Sequence, residues 1–337
     1  MGNYRPPDGI GEERLLFIRY SALGDVVRAI PVVATIKKTF PALHITWLLE
    51  RPFDELIQGQ PYVDDMLVWD RKLGLKGFWG LIQSIRRSNF THLVSIQGTD
   101  RSAMIALLSG IKNRAGRHDW ASFVYNLPRE DISQILGRPV TIDRSRVYYK
   151  ISDELKSFRN DLLCGISFPR IACIIGASKP VKRWPACNWA ELAEMIVSMG
   201  GSPILIGHGE EEKNIAREIM STLTNGVYKK ILDLVGKLKL NEMAAIIDGC
   251  DAIIGGDTGP MHLALALKRP TIGIFGPTLP EQVGLSEINC KIMASCPLAG
   301  CQKWNCPNKC LSSIQPAEVF KALLRLCANT NYMSKTF

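Results

Sequence analysis

The stretch DAIIGGDTGPMHLALAL, Asp251 to Leu267, decides the fold. Its apolar start, Ala252 to Ile254, predicts the end of a buried strand, and the two glycines that follow break that strand. The apolar pattern that continues to the end of the stretch predicts a helix, with Thr258 or Asp257 as its cap. Because a helix start presents unpaired N–H groups, we expect a bound phosphate to face this turn.

Three more residues of the same turn suit a ligand. Gly259 lets the backbone approach a bound group closely, and Pro260 fits the first helical position, where its missing N–H is not needed. His262 lies two residues into the helix and can donate a hydrogen bond to an anion. Taken alone, GDTGP also fits an ordinary capped turn of an α/β sheet, so the rest of the chain has to decide.

Length and composition indicate a globular protein of about two domains. The chain has 337 residues, of which 46% are hydrophobic, and this is enough to bury a large core. No run of apolar residues is long enough to span a membrane, and the first residues lack the apolar region of a signal peptide. We therefore expect a cytoplasmic protein.

The charge balance is basic and uneven. Lys and Arg number 41 against 32 Asp and Glu, and residues 1–150 contain 21 of the basic and 15 of the acidic side chains. An anionic partner is therefore expected to meet the first half, and an acidic membrane surface or an anionic substrate would both fit. A solvated basic surface without a partner stays open. The absence of a nucleic-acid-binding motif argues against a nucleic-acid partner.

Ten cysteines do not indicate a disulfide framework in a chain of this size without a secretion signal. Five are scattered in apolar surroundings and are predicted to be buried thiols: Cys164, Cys173, Cys187, Cys250 and Cys327. The other five are predicted to lie in one loop: Cys290, Cys296, Cys301, Cys306 and Cys310. Because no CxxC pair occurs among them, we favour reduced thiols over a metal site or a disulfide and predict no metal.

Strand and helix patterns alternate along both halves of the chain, which predicts two parallel α/β sheets. The first series starts with a strand at Leu15 to Arg19, and its first helix contains Pro31, which should kink it or start a second segment. The second series starts at Ile171 to Ile175, and Asn188 is predicted to cap its first helix. We place the domains at 1–165 and 166–337, with the last helix, 315–328, packing back on the first domain.

Polar residues follow four of the predicted strands, at 21–25, 176–182, 207–212 and 256–262. Ligands of parallel sheets bind at such strand exits. In the second domain these exits supply Ser178, Lys182, the carboxylates of residues 210–212 and the helix start at Thr258. A lysine and a helix start suit a diphosphate, and a carboxylate suits ribose hydroxyls. Together these groups predict a nucleotide-sugar site. Because the P-loop lysine motif and GxGxxG are both missing, ATP hydrolysis and a standard dinucleotide fold are disfavoured.

Three segments make the chain resemble the glycosyltransferase family 9 heptosyltransferases, which build the inner core of lipopolysaccharide. They are SALGDVVRAIP at 21–31, KRWP at 182–185 and GGDTGPMHLA at 255–264. Weaker matches are QGTDRSAMIALLSG at 97–110 and IGHGEEE at 206–212. The resemblance covers nearly the whole chain.

The resemblance implies a GT-B fold, α/β, with two Rossmann-like doubly wound domains facing a central cleft. It implies that the first domain binds the acceptor and the second the sugar nucleotide. The expected reaction is metal- and cofactor-independent transfer of heptose from ADP-heptose, with inversion, to Kdo or heptose of the inner core. A family member that uses another nucleotide sugar is the nearest alternative. An epimerase on the same scaffold and a non-catalytic anion-binding protein are more distant ones.

The resemblance also implies roles for individual residues. Asp25 would be the general base that removes the proton of the acceptor hydroxyl. The donor-binding residues would be Ser178 and Lys182 at the diphosphate, one of Glu210, Glu211 and Glu212 at the nucleoside, Asp257 at sugar hydroxyls, and Thr258, Gly259 and His262 beside the phosphates. Ala177 departs from the family pattern, in which a hydroxyl residue is common at this position.

The residues that would bind the acceptor are predicted from their positive charge. Arg101 aligns with a basic position of the family, and Arg71 and Arg117 could attract an anionic sugar acid or its phosphates. An acceptor of this kind is held in the inner leaflet of the inner membrane. The basic first half therefore predicts peripheral contact with that membrane surface.

Overall fold

A computed structural model describes residues 13–116, 118–119, 121–128, 140–142, 148–285, 287–307 and 309–329. The chain divides into two compact units, Met1–Lys150 and Ile151–Phe337. Each unit contains one six-stranded sheet, and all the described strand pairs are parallel. The predicted pair of parallel α/β sheets is confirmed.

The sheet of the first unit has the order β3-β2-β1-β4-β5-β6. Its strands are β1 Arg14–Ile18, β2 His44–Glu50, β3 Asp65–Trp69, β4 His92–Ser95, β5 Asn113–Gly116 and β6 Leu127–Pro128. Its helices are α1 Leu23–Thr39, α2 Asp54–Ile57, α3 Gly74–Arg87 and α4 Asp100–Leu108. The chain builds outward from β1 on one side and from β4 on the other, so the strand order reverses between these two neighbours.

The first core follows from the apolar runs of the sequence. Leu15 to Ile18 in β1 are fully buried, as expected for a parallel strand covered on both faces. Helix α3 buries an apolar face that consists of Phe78, Leu81, Ile82 and Ile85. Helix α1 runs through Pro31 without starting a second segment there. The Thr35 hydroxyl donates to the Pro31 carbonyl oxygen at 2.6 Å within this helix.

The sheet of the second unit has the order β12-β11-β10-β7-β8-β9, which reverses between β7 and β10. Its strands are β7 Arg170–Ile174, β8 Ser202–Ile206, β9 Leu232–Asp233, β10 Ala252–Gly255, β11 Thr271–Phe275 and β12 Cys290–Met293. Its helices are α5 Asp153–Leu162, α6 Ala186–Ser198, α7 Glu210–Thr222, α8 Asn225–Tyr228, α9 Leu240–Asp248, α10 Gly259–Ala266 and α11 Pro316–Asn329.

Helix α5 lies just before residue 165, the predicted end of the first domain. The Ser152 hydroxyl accepts from the Leu155 N–H at 3.2 Å and so caps the helix start. Arg159 then pairs with Asp248 at the end of α9, at 2.6 Å between Nη1 and Oδ2. These contacts attach α5 to the second unit. The sequence signal was weak because this helix contains no buried residue.

Two local predictions are wrong. Asn188 does not cap α6, because that helix begins at Ala186, directly after Pro185. The Asn188 amide instead donates to the carbonyl oxygen of Ile314 at 3.1 Å. Cys290 is not in a loop but starts β12, a strand too short for a clear apolar alternation.

The scattered cysteines are only partly as predicted. Cys173, Cys250 and Cys327 are buried, whereas Cys164 and Cys187 are exposed. Cys164 follows the solvated helix α5, and Cys187 lies on the outer face of the first turn of α6. Burial raises the pKa of the Cys173 thiol to about 12, so this thiol stays protonated and acts as a small apolar side chain.

The last helix, α11, packs on the second sheet and on α6. Its expected contact with the first domain stays a prediction. In the part of the chain that the structure describes, no helix is long and apolar enough to cross a membrane.

Trp184 anchors the turn after β7 to the core of the second unit. Its ring packs edge-on against Trp189 with the centroids 5.0 Å apart, and its indole N–H donates to the Ile314 carbonyl oxygen at 3.1 Å. The side chain is buried. This tryptophan therefore connects the KRWP segment to the chain just before α11.

We predict that Trp184→Ala lowers the free energy of unfolding of the second unit by about 3–5 kcal/mol, because it leaves a cavity and removes one of the two hydrogen bonds to the Ile314 carbonyl oxygen. Urea denaturation of the intact chain, followed by circular dichroism, measures the change. Trp79→Ala is the matched control, since Trp79 is half exposed and its loss should cost no more than about 0.5 kcal/mol. Equal effects of the two substitutions would contradict the role of Trp184.

Candidate active site

The strand exits at the order reversal of the second sheet bring two opposite charges together. Lys182 ends a short 3₁₀ turn, Pro180–Lys182, after β7, and Asp257 follows β10. The Lys182 Nζ lies 2.9 Å from Asp257 Oδ2, and each side chain is only 12% exposed. Ligands of doubly wound sheets bind at this reversal point. Lys182 and Asp257, predicted separately as donor-binding residues, are therefore in direct contact there.

Helix α10 begins beside this pair. Thr258 occupies the cap position, but its hydroxyl points back to the Gly256 carbonyl oxygen at 3.5 Å and does not cap the helix. The predicted side-chain cap by Thr258 is therefore wrong, and Asp257 is engaged by Lys182 instead. Pro260 is the second helical residue, after Gly259, rather than the first. The helix start keeps amides that its cap residue does not cover.

Ser178 and His262 flank the pair differently. Ser178 is exposed in the turn after β7, next to the buried Ala177. His262 is buried within the first turns of α10. The exposed hydroxyl can meet a ligand directly, whereas the imidazole lies in packed surroundings.

The three consecutive glutamates at the start of α7 point in different directions. Glu210 pairs with Lys213 at 3.1 Å and Arg217 at 3.0 Å, on the solvent side. Glu211 is exposed and pairs with Arg183. Glu212 instead turns back, and its Oε2 accepts from the backbone N–H of His208 at 2.6 Å. Of the three, Glu212 reaches back to the backbone at the strand exits, whereas Glu211 contacts the side chain of Arg183 in the turn after β7.

Glycines make room for the Glu212 carboxyl. A Cβ at position 176 would collide with this group, and one at position 207 would lie 2.6 Å from its Oε2. Burial raises the pKa of Glu212, against the lowering effect of the His208 N–H. The sequence held a signal for this position: Glu212 is the third helical residue after Gly209, from which a glutamate reaches back to the backbone before the helix.

A tryptophan from the cysteine-rich loop adds an aromatic wall. Trp304 lies with its ring centroid 5.7 Å from Lys182 Nζ, a cation–π contact. The same loop encloses a cavity of about 570 Å³ lined by four thiols, those of Cys296, Cys301, Cys306 and Cys310. Among the described residues, no three His, Cys, Asp or Glu side chains are placed to hold a metal ion. Sequence reasoning did not connect this loop with Lys182.

The order reversal of the first sheet holds the predicted base. Asp25 lies in the first turn of α1, after β1, and is 41% exposed. The Arg19 Nη2 lies 2.5 Å from its Oδ2, and Arg28 approaches the other oxygen at 3.9 Å. Arg19 is itself held at the exit of β4, where its Nη1 donates to the Ile96 carbonyl oxygen at 2.8 Å. The carboxylate is thus oriented on one side and open to solvent on the other.

Hydrogen bonds join the exits of β1 and β4. The Gln97 side-chain oxygen accepts from the Tyr20 N–H at 3.1 Å, and the Tyr20 hydroxyl lies 2.6 Å from the Thr99 hydroxyl. Thr99 also caps α4. This network holds the two strand exits beside Asp25 in place. Sequence analysis missed Arg19, which directly follows β1, and Gln97, which lies two residues after the end of β4.

Two of the three predicted acceptor arginines line one groove. The groove has a volume of about 550 Å³, and its walls include Arg71, Lys72, Arg101 and Trp69. Arg71 pairs with Glu50 at 3.1 Å. Arg117 lies outside the described residues. The groove therefore brings together Arg71, Lys72 and Arg101 in the first unit, and its use by an anionic partner stays a prediction.

Comparison with known proteins identifies the family of this chain. The family model described as glycosyltransferase family 9 (heptosyltransferase) matches residues 78–312, more than half of the chain. Lipopolysaccharide heptosyltransferase 1 of Pseudomonas aeruginosa is 26% identical, over 93% of this chain and 91% of its own length.

Two solved structures share the fold. A family 9 glycosyl transferase of Veillonella parvula is 20% identical, with a TM-score of 0.83 over 95% of this chain and 98% of that one. The Escherichia coli heptosyltransferase WaaC, solved with ADP-2-deoxy-2-fluoro heptose, is 19% identical, with a TM-score of 0.72 over 93% and 99% of the two chains. The chain belongs to glycosyltransferase family 9 and is a glycosyltransferase.

Proposed function

We propose that the enzyme transfers a heptose from ADP-heptose to the inner core of a lipopolysaccharide precursor, on Kdo or on a heptose, with inversion of the anomeric centre. The observation that carries the proposal is the largely buried Lys182–Asp257 pair at the reversal point of the second sheet. A cation and a carboxylate at one strand exit suit a donor that has both a diphosphate and sugar hydroxyls. The names of the relatives support the heptose and its acceptor.

The donor would bind in the second unit. Lys182 and the backbone amides of Thr258 and Gly259 would bind its diphosphate, with Ser178 and His262 beside them. Asp257, released from Lys182, would accept hydrogen bonds from sugar hydroxyls. The charge on Lys182 would then stabilise ADP as it leaves.

The nucleoside would bind at Glu212. Its carboxyl reaches the exits of β7 and β8, whereas Glu210 and Glu211 are turned to solvent and paired with basic residues. A carboxylate suits the two ribose hydroxyls. We therefore assign the nucleoside contact to Glu212 among the three glutamates.

Asp25 would remove the acceptor proton. Direct displacement at the anomeric carbon needs a base at the incoming hydroxyl, and a carboxylate open to solvent on one side can reach it. Arg19 would act as a positioning residue, because it holds one carboxylate oxygen at 2.5 Å and leaves the other more accessible.

The acceptor would bind in the groove of the first unit. Arg71 and Arg101, with Lys72 beside them, can pair with the carboxylate of a Kdo residue or with phosphate groups. Arg117 remains a predicted contributor. An acceptor of this kind is anchored in a bilayer, so we also propose peripheral contact with the inner face of the inner membrane.

The test of this function is release of ADP from ADP-heptose by the purified protein, with and without a Kdo-bearing lipid A acceptor. We expect release that depends on the acceptor, and a heptosylated product by mass spectrometry. Release only from a different nucleotide sugar would overturn the heptose and keep the family alternative. Conversion of the donor without any acceptor would instead indicate an epimerase or a hydrolase.

We predict that Asp25→Asn lowers the rate of transfer by about 10²- to 10⁴-fold, the usual contribution of a general base. Binding of ADP, measured by calorimetry, should be unchanged because the nucleotide binds in the other unit. Asp153→Asn is the matched control: Asp153 is an exposed acid in the first turn of α5. Full activity of Asp25→Asn would exclude it as the base.

We predict that Lys182→Met weakens ADP binding by about tenfold to a hundredfold, as expected for loss of a charge-assisted hydrogen bond. Asp257→Asn should retain ADP binding, because it frees the lysine, but should lower transfer. Lys179→Met, which changes an exposed lysine of the same turn, is the control. If the Lys179 and Lys182 variants bind ADP equally well, the diphosphate assignment is wrong.

We predict opposite effects of Glu212→Gln on stability and on nucleotide binding. Burial raises the pKa of Glu212, so the folded state retains its proton to a higher pH than the unfolded state. Stability contributed by this group is therefore lost as pH rises from its ordinary pKa to the raised one. At neutral pH the neutral glutamine should raise the melting temperature while weakening ADP binding by about tenfold.

Glu211→Gln serves as the control for this pair of measurements. Glu211 is exposed, and its substitution should leave nucleotide binding unchanged. Weaker ADP binding by the Glu211 variant than by the Glu212 variant would transfer the nucleoside contact to Glu211.

A further inference from the structure

Large apolar side chains are exposed along α3 and α4 of the first unit and in the turn just before α3. Their exposed fractions lie between 50% and 79%, and they belong to Leu73, Leu75, Trp79, Met104 and Leu107. They are additional to the buried face of α3, where Phe78, Leu81, Ile82 and Ile85 pack on the core. The helix therefore carries a second apolar row that the fold of this unit does not use.

These side chains form one surface, because α3 and α4 lie side by side. Leu75 and Met104 line the same groove near the starts of the two helices. Near their ends, the Arg86 Nε donates to the Leu108 carbonyl oxygen at 2.8 Å. Trp79 lies one turn after Leu75, and Leu107 one turn after Met104. We call this exposed set, from both helices, the α3–α4 surface.

The α3–α4 surface is rimmed by positive charge. The segment from Asp70 to Leu108 contains six basic and two acidic side chains. The basic ones are exposed: Arg71, Lys72, Lys76, Arg86, Arg87 and Arg101. Within the described ranges, ion pairing occupies only Arg71 of these six. Aliphatic and tryptophan side chains with lysine and arginine around them are the composition of surfaces that bind anionic lipid.

We propose that the α3–α4 surface docks on an anionic lipid bilayer. Trp79 and Leu107 enter the headgroup region, where an indole is favoured, and Lys76 and Arg87 contact lipid phosphates. The charge complementarity of the rim selects this partner over an uncharged protein surface. The inference deepens the peripheral contact proposed above by assigning it to residues, and its test is independent of the donor and the acceptor.

Docking of this kind has a consequence for the acceptor groove. Leu75 and Met104 belong to both the groove wall and the α3–α4 surface. A bilayer bound there would bring lipid headgroups to the edge of the groove that holds Arg71 and Arg101. A lipid-anchored acceptor could then reach the groove without leaving the membrane.

The test is sedimentation of the full-length protein with vesicles that contain no lipopolysaccharide precursor. We expect binding to vesicles of phosphatidylcholine mixed with phosphatidylglycerol, and about tenfold less binding to phosphatidylcholine alone. The double substitution Trp79→Ser with Leu107→Ser should lower binding about tenfold, and Lys76→Gln with Arg87→Gln should remove the preference for phosphatidylglycerol. Tyr228→Ser, which removes a half-exposed aromatic side chain from the second unit, should bind like wild type.

Two readouts separate this proposal from misfolding and from the proposed enzymatic function. Circular dichroism and ADP binding of the variants should match wild type, since all four residues are exposed side chains of the first unit and the donor site is proposed in the second. Brominated lipids should quench part of the tryptophan fluorescence of wild type, and Trp79→Phe should lose that part. Equal vesicle binding by wild type and the Trp79/Leu107 variant would overturn the proposal. Binding only when the acceptor lipid is present would overturn it as well, even if transfer itself is active.

Discussion

Reversal of strand order is the constraint on which both candidate sites depend. In each sheet two neighbouring parallel strands send their following helices to opposite sides, so their exits cannot be covered by one helix. These neighbours are β1 with β4 in the first unit and β7 with β10 in the second. Side chains far apart in sequence meet there: Arg19 meets the Ile96 carbonyl, and Lys182 meets Asp257. The backbone topology creates an opening at each reversal point, and polar side chains line it.

Much of the fold could be predicted from local pattern alone. Apolar runs such as Leu15 to Ile18 read directly as buried parallel strands, because such strands are covered on both faces. The elements that were missed have little local signal: α5 buries nothing, and β12 is four residues long. For Asn188 the local signal was strong but misleading. This residue type often caps helices, yet it lies inside one here, and its amide donates to the distant Ile314 carbonyl oxygen. Local preference yields there to a tertiary hydrogen bond.

The candidate sites were predictable as residues but not as contacts. Asp25, Lys182 and Asp257 lie in recognisable motifs, whereas the residues that they contact depend on which strands are neighbours in the sheets. Arg19 and Trp304 contact the site from segments that no motif connects to it. Of the three adjacent glutamates, only the turn of the helix determines that Glu212 faces inward while Glu210 and Glu211 face solvent. Spacing within a motif therefore names candidates, and side-chain direction selects among them.

The Lys182–Asp257 pair also explains how a site can keep a buried cation before its ligand arrives. An unpaired lysine at 12% exposure would be unfavourable, so the aspartate compensates its charge. A diphosphate carries more negative charge than one carboxylate and can replace it at the ammonium group. In the proposed donor complex the carboxylate would then need donors of its own, and sugar hydroxyls attached to the diphosphate would supply them. The ion pair would thus hold both side chains in place before the donor binds. On binding, the diphosphate would replace Asp257 at Lys182, and sugar hydroxyls would replace Lys182 at Asp257.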